Sequence, residues 1–361
     1  MEAQSLISIA QLLIGGIFIL VLINLYLVVK LKEIDPFRNW KPHEINGALF
    51  VVFGIVGTIA AAISYMRWEE LMLLVKFPAS EHGEVIDSMF WITMAVALFV
   101  TLVTNALLFL FSWMYRSKPG RRAQFIPENN MLEIVWTAIP AVVLTALVGY
   151  GAYNWLKIFD DPPENAIHIE MNARQFDWTF RYPGPDEEFG NRSVSYINDG
   201  QGNTIGLNLE DPKGHDDIIL ASDLYLPVGV PVSFTIRSRD VLHSATLPHF
   251  RMKMDAVPGM PTNFWLTPTL TTEQMREETG NPDFVYEMSC QQICGGAHWN
   301  MRREVVVVTA EEYQKWLGEQ KAFYTDWQEK FGEEQVPNPV LPDPKQIAED
   351  PDGNNQEISM N

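Results

Sequence analysis

Cysteine is almost missing from this chain: 361 residues contain two. Both lie in one short segment, Cys290 to Met301, read C-Q-Q-I-C-G-G-A-H-W-N-M. Two cysteines four residues apart do not make a disulfide framework; in an oxidising compartment they could pair with each other or be protected by a metal. Positive charge is also scarce. Lys and Arg number 26 against 45 Asp and Glu, a formal net charge of −19. The deficit is confined to residues 158–361, which carry 15 basic and 34 acidic side chains, whereas residues 1–157 balance 11 with 11. An acidic half-chain repels nucleic acid and attracts basic partners from a distance, an effect that salt weakens. No basic, aromatic-laced segment suggests nucleic-acid binding. The flank Met1–Ser5 lacks positive charge and no small-residue cleavage site follows it, so the apolar run behind it reads as a retained span, not a signal peptide. There is no internal repeat.

What the first half does contain is four uncharged stretches, residues 3–29, 45–66, 88–115 and 134–156. Each is rich in Leu, Ile, Val, Ala and Phe and reaches the ~20 residues a bilayer requires. Four transmembrane helices are expected. Lys30, Lys32, Arg38 and Lys41 lie between the first two spans, and Arg116, Lys118, Arg121 and Arg122 between the last two. Positive loops face the cytoplasm, so both termini and everything after residue 157 are expected outside, in a periplasm or its equivalent. Asn24 and Asn105 fall inside spans, where bonds to neighbouring helices are expected.

After Asp160-Asp161-Pro162-Pro163 the pattern becomes short alternating segments. Strands are expected at Ile167–Met171, Phe176–Tyr182, Leu224–Pro227, Val230–Arg237, Phe264–Leu266, Phe284–Met288 and Glu304–Val308, separated by Gly, Pro, Asn and Asp clusters. Such spacing indicates a small all-β sandwich or barrel. Ala310–Phe331 has the period of an amphipathic helix, and Pro337–Asn361 reads as a Pro- and Asp-rich tail.

The segment from Cys290 to Met301 then joins two strands at one end of the sandwich. It offers two thiols, an imidazole and a thioether at spacings of four, four and three. Soft sulfur with imidazole favours copper or zinc over magnesium or calcium, and the thioether tilts the choice to copper. A second imidazole is needed. His243 in S-R-D-V-L-H-S, expected at the end of the strand beginning at Val230, ranks above His249, which follows a proline. A zinc site would leave Met301 idle, and a disulfide would leave the histidines unexplained. A one-copper blue site uses a single Cys, two His and a weak Met. Two thiolates bridging two coppers use every residue, with one His on each metal, Met301 on one and a backbone carbonyl on the other. His43, His82, His168 and His215 are isolated and read as surface histidines.

The segment resembles the CuA signature of subunit II of haem-copper cytochrome c oxidases. The resemblance runs over roughly residues 88–310 and is supported by L-E-I-V-W-T-A-I-P at Leu132–Pro140, D-V-L-H-S at Asp240–Ser244 and M-D-A-V-P-G-M at Met254–Met260. It implies a membrane anchor plus a cupredoxin-like β domain. Residues 1–87 then hold two extra N-terminal spans, 88–157 a transmembrane hairpin, 158–310 the periplasmic copper domain, and 311–361 a C-terminal helix and acidic tail. It implies His243, Cys290, Cys294, His298 and Met301 as side-chain ligands of a dinuclear copper centre, with the carbonyl of Gln292. Gln292 stands where the family usually has Glu, so the interfacial magnesium which that carboxylate often binds is not expected as usual. Met260 stands where many members have Arg. Q-F-D-W at Gln175–Trp178 resembles the family's aromatic patch for electron uptake, with Phe176 in place of the first Trp and Trp178 as the remaining candidate.

The resemblance also implies partners and a place. Glu133, at the cytoplasmic start of the fourth span, would lie at the mouth of a proton pathway in the catalytic subunit. Asp255 would help dock a basic donor. Electrons would come from a c-type cytochrome or the haem c domain of a supercomplex, and go to haem in catalytic subunit I, which with other oxidase subunits would be the chain's neighbours in a bacterial inner membrane. No C-x-x-C-H occurs, so no fused cytochrome is expected. Membrane-anchored copper chaperones use C-x-x-x-C without His298 and Met301 at these spacings. Quinol-oxidase subunit II lacks the copper ligands, and nitrous oxide reductase needs a further large domain.

Overall fold

A computed structural model of the chain describes residues 16–17, 19–28, 30–31, 41–69 and 77–332. Three described helices are long and apolar enough to cross a membrane: α2 (Pro42–Trp68), α3 (Glu81–Met114) and α4 (Asn130–Ile158). A shorter apolar helix, α1 (Ile19–Val28), covers part of the first expected span; the rest of that span largely lies outside the described residues. α2 opens on Pro42, whose fixed φ suits a first helical turn, and the Lys41 N–H donates to Glu44 Oε2 at 3.1 Å. At α4 the side chain caps instead, Asn129 Oδ1 accepting from the Leu132 N–H. The two span asparagines behave differently from expectation. Asn24 and Asn105 donate to Leu20 O and Thr101 O, one turn back on their own helices, which gives each amide one bond within its own helix.

The chain divides into two compact units, Met1–Glu69 with Met94–Ile134, and Glu70–Thr93 with Val135–Asn361. In the first, Gly54 lets the Phe109 ring approach; a Cβ there would stand 2.4 Å from it, the close contact that small residues permit between membrane helices.

The second unit carries two five-stranded sheets. One has the order β3-β2-β1-β5-β8, built from β1 (Ile167–Arg174), β2 (Asp177–Tyr182), β3 (Ile218–Leu220), β5 (Val232–Ser238) and β8 (Thr262–Leu266). The other has the order β4-β10-β9-β6-β7, from β4 (Leu224–Pro227), β6 (His243–Leu247), β7 (Met252–Ala256), β9 (Tyr286–Cys290) and β10 (Arg302–Val308). Their facing residues, among them Ile169, Phe180, Phe234, Leu226, Leu247, Met288 and Val305, form one buried core. This is the sandwich expected from alternation. Helices α5 (Thr272–Thr279), α6 (Ala310–Glu319) and α7 (Phe323–Phe331) are added to it.

Several expectations need correction. The strand expected from Val230 ends at Ser238, and His243 opens a separate strand, β6, in the other sheet. β3, β7 and α5 were not expected. The expected helix Ala310–Phe331 is two helices, because the chain turns after Glu319 and the Phe323 N–H reaches Asp217 O at 2.8 Å. His82 and His215 are not free surface histidines: the first packs edge-on to Trp265 and the second stacks on Tyr324.

Buried charge organises the far side of the first sheet. Arg181, almost fully buried, bonds Glu170 at 3.2 Å, Asp217 at 2.5 Å and the Gly190 carbonyl at 2.5 Å. Arg192 and Arg237 also meet Glu170, so neither carboxylate is left alone in a low dielectric. Closer to the anchor, the Arg251 guanidinium forks onto Asp87 of α3 at 2.7 and 2.8 Å, and Trp265 Nε1 donates to Asp160 O just beyond α4. These bonds fix the β domain to the helix ends that share its unit.

Candidate metal centre

Three positions of the second sheet converge. His243 is the first residue of β6, Cys290 the last of β9, and Met301 immediately precedes β10. β6 and β9 pair with Ala245 opposite Cys290, and the Cys290 N–H donates to Met301 O at 3.0 Å, closing the base of the β9–β10 hairpin. The hairpin loop then folds back through a short helical turn at His298–Asn300. Rigid strands thus set the separations, and the loop supplies the remaining donors.

The sulfurs are the hubs. Cys290 Sγ lies 3.9 Å from His243 Nδ1, 3.2 Å from the Gln292 carbonyl oxygen and 4.0 Å from Cys294 Sγ. Cys294 Sγ lies 3.6 Å from His298 Nδ1 and 3.9 Å from Met301 Sδ. Both thiols are free, and their separation is about twice a disulfide bond length. Ligand atoms that share a metal at ~2.0–2.3 Å each can stand at most ~4.6 Å apart. Every one of these separations meets that limit. His243, Cys290 and Cys294 form the one group of three His, Cys, Asp or Glu with metal-binding geometry among the described residues.

Electrostatics and tautomers agree with a metal reading. His243 is fully buried, and its Nε2 sits 2.8 Å from Asp240 Oδ1. A carboxylate on that nitrogen holds the proton there and leaves Nδ1 as the ligand atom, as in carboxylate–histidine–metal sites. Burial, and then the charge of Cys290, push the Cys294 thiol up to about 11. A metal arriving at neutral pH must therefore displace its proton, which links binding to proton release. A buried thiol with a raised pKa is also a poor nucleophile, which suits Cys294 to ligation and not to covalent catalysis.

Trp178 is fully buried, with its ring centroid 6.2 Å from that of His243; it is a core side chain behind the ligand and presents no surface. Asp255, on β7 opposite Ser244, is exposed and pairs with Lys253 at 3.2 Å. The Ser244 hydroxyl, then Lys253, hold its carboxyl below the usual range. Glu133 lies exposed in the first turn of α4. His249 stands apart from the cluster, its ring edge-on to Phe284 and Tyr286, and burial lowers its pKa to about 4. Sequence reasoning missed Asp240, three residues before His243, and Gln175, whose bond to the Cys294 carbonyl spans 119 residues. It also missed the exposed Trp299 and Ile293, for which adjacency to His298 and Cys294 was the available signal.

Both the helical and the β parts of the chain match known proteins. Residues 167–309 match the family model for the cytochrome c oxidase subunit II periplasmic domain, and residues 66–151 that for its transmembrane domain. The alternative cytochrome c oxidase subunit 2 of Bradyrhizobium diazoefficiens is 37% identical over 241 residues, which is 66% of this chain and 80% of the relative. Cytochrome c oxidase subunit 2 of Thermostichus vulcanus is 28% identical over 297 residues, 74% of this chain and 85% of the relative. The crystal structure of the periplasmic domain of subunit II of cytochrome oxidase (CoxB) of Bradyrhizobium japonicum is 21% identical, covering 43% of this chain and 94% of that one, with a TM-score of 0.29. With its apolar helices, its two-sheet domain and a thiol-centred ligand cluster, the chain belongs to the cytochrome c oxidase subunit II family.

Proposed function

We propose that this chain is the electron-receiving subunit of a respiratory cytochrome c oxidase. A c-type cytochrome, or a haem c domain of a supercomplex, would supply single electrons, and haem in the catalytic subunit would take them onward for oxygen reduction coupled to proton translocation. The observation that supports this most is the convergence of His243, Cys290, the Gln292 carbonyl, Cys294, His298 and Met301 on two sulfurs 4.0 Å apart. His243, Cys290, the Gln292 carbonyl, Cys294, His298 and Met301 would hold a dinuclear copper centre, which would supply one-electron redox chemistry. Strands β6 and β9 would fix His243 and Cys290, the β9–β10 loop would present the other donors, and Asp240 keeps the His243 proton on Nε2. Gln292 contributes its carbonyl and no carboxylate, so no magnesium is expected on its side chain. Metal analysis and EPR of the purified protein test the reading: two coppers sharing one unpaired electron are expected, and one copper or a zinc would overturn it.

The face around the ligands suits a docking partner. Trp299 is 80% and Ile293 85% exposed, next in sequence to His298 and Cys294; the exposed Val241 and Leu242 precede His243, and the exposed Phe176 packs on Gly295. Within an acidic domain, this apolar rim fits a basic donor that is steered by charge and held by apolar contact. Trp178 lies behind it in the core, so the surface aromatics Phe176 and Trp299 are the points where an electron would arrive. In this reading residues 88–157 anchor the domain 158–310 outside a bacterial inner membrane, both termini lie on the periplasmic side, 1–87 add two spans, and 311–361 form the helical and acidic end.

Glu133 is assigned to the mouth of a proton pathway in the catalytic subunit, supported by its place at the start of an otherwise uncharged helix. In the assembled oxidase, Glu133→Ala should slow oxygen reduction and proton uptake together while leaving copper EPR unchanged. Undiminished rates would remove Glu133 from the pathway.

A further inference from the structure

The ligands all sit in or beside the second sheet, yet a residue at one end of the first sheet hydrogen-bonds to both halves of the set. Gln175 lies between β1 and β2. Its backbone N–H donates to Asp240 Oδ2 at 2.7 Å, and the other oxygen of Asp240 is the one that meets His243 Nε2. Its side-chain Nε2 donates to the Cys294 carbonyl at 2.5 Å. Phe176, the next residue, lays its ring against Gly295: a Cβ at Gly295 would stand 2.8 Å from that ring and 3.0 Å from Gln175 Nε2. Gly295 itself has φ 137°, a conformation open to glycine, so the loop takes an unusual path just where the two side chains press on it.

These contacts connect the two halves of the ligand set from outside. Asp240 fixes the ring of His243, which faces Cys290, whereas the carbonyl of Cys294 belongs to the residue that faces His298 and Met301. A single rigid turn holding both limits how far the two sulfurs can drift, and sulfur separation is what a bridged pair of metals depends on. Asp240 spends both oxygens on this arrangement, with Oδ1 also accepting from the Val241 N–H. Gln175 touches no metal ligand atom, so its action is through Cys294 and Asp240.

We propose that Gln175 is a positioning residue of the metal centre, its amide clamping the Cys294 backbone to the Asp240–His243 pair so that the two thiolates keep one separation. The proposal rests on the copper reading above. Outer partners of metal ligands typically change metal affinity or activity by ~10–100-fold, and the same range is expected here.

The test compares the full chain with Gln175→Met, which keeps volume and removes the donor, and with Gln175→Glu, which turns a carboxylate towards the Cys294 carbonyl. Both retain the backbone N–H that meets Asp240. The expected result is copper loss to a chelator faster by ~10–100-fold, altered copper hyperfine splitting and visible bands, and a melting temperature close to that of the parent. An unchanged spectrum with unchanged chelator kinetics overturns the proposal, even if the melting temperature falls. Failure of both variants to fold also overturns it, because Gln175 would then be a determinant of the fold. A parent chain without a two-copper signal would instead sink the copper reading, so the two failures are distinguishable.

Discussion

Cys294→Ser is expected to leave the chain folded and to abolish its two-copper signal. Serine is nearly isosteric with cysteine, and the site lies at the end of a sandwich whose core is formed elsewhere by Phe180, Phe234, Met288 and their neighbours. The local consequence is much larger. Cys294 Sγ is the atom within 4.0 Å of a second thiol, an imidazole nitrogen and a thioether, so its removal disconnects His298 and Met301 from Cys290 together. A hydroxyl is a hard donor with little affinity for soft copper at neutral pH, and it cannot bridge two metals as a thiolate does. Substitutions one bond further out cost ~10–100-fold, so the loss of a bridging ligand should exceed ~100-fold in oxygen consumption driven by reduced c-type cytochrome. Copper content and EPR of the same preparation locate the fault: a variant that keeps two coppers, the shared electron and its turnover would show that Cys294 is no ligand.

What the sequence revealed and what it hid divide along contact range. Cys290, Cys294, His298 and Met301 lie within one hairpin loop, and local spacing was enough to read them as a metal cluster. His243 was legible as a ligand and not as a strand. β6 is five residues, all buried, so it shows no alternation of exposed and buried positions, and no Gly or Pro marks the break from Ser238 to His243. α5 was hidden for the opposite reason. It is polar around nearly its whole surface, burying Thr272 and Met275, and only the capping box of Thr271 with Gln274 announces it. The Gln175 clamp had no signature at all, since its two bonds span 65 and 119 residues. Trp178 shows the limit of motif reading. Its neighbours matched a pattern of surface aromatics, yet β2 is buried along nearly all its length, and both faces of that strand are covered by packing that no local window contains. The apolar spans, by contrast, needed nothing but length and the absence of charge.

Trp299→Ala should then separate electron arrival from metal binding. Trp299 follows the candidate ligand His298 and is 80% exposed, so truncation should leave the fold and the ligand cluster intact. An exposed Trp beside apolar neighbours is the side-chain type most often found to dominate an interface, with losses of ~2 kcal/mol or more, or roughly 30-fold in affinity. A rise of that order in the KM for a haem c donor is expected, with copper content and EPR unchanged. Trp178→Phe, acting in the core, should instead lower stability and leave donor affinity near the parent value. Ionic strength provides the second arm. If acidic groups such as Asp255, whose carboxyl stays ionised well below neutral pH, steer the donor as proposed, salt should slow association in the parent and in Trp299→Ala alike, and Asp255→Asn should flatten that dependence. The apolar contribution should persist at high salt, where the Trp299→Ala defect remains. A Trp299→Ala oxidase with the parent's KM at both low and high salt would place docking on another face of the domain.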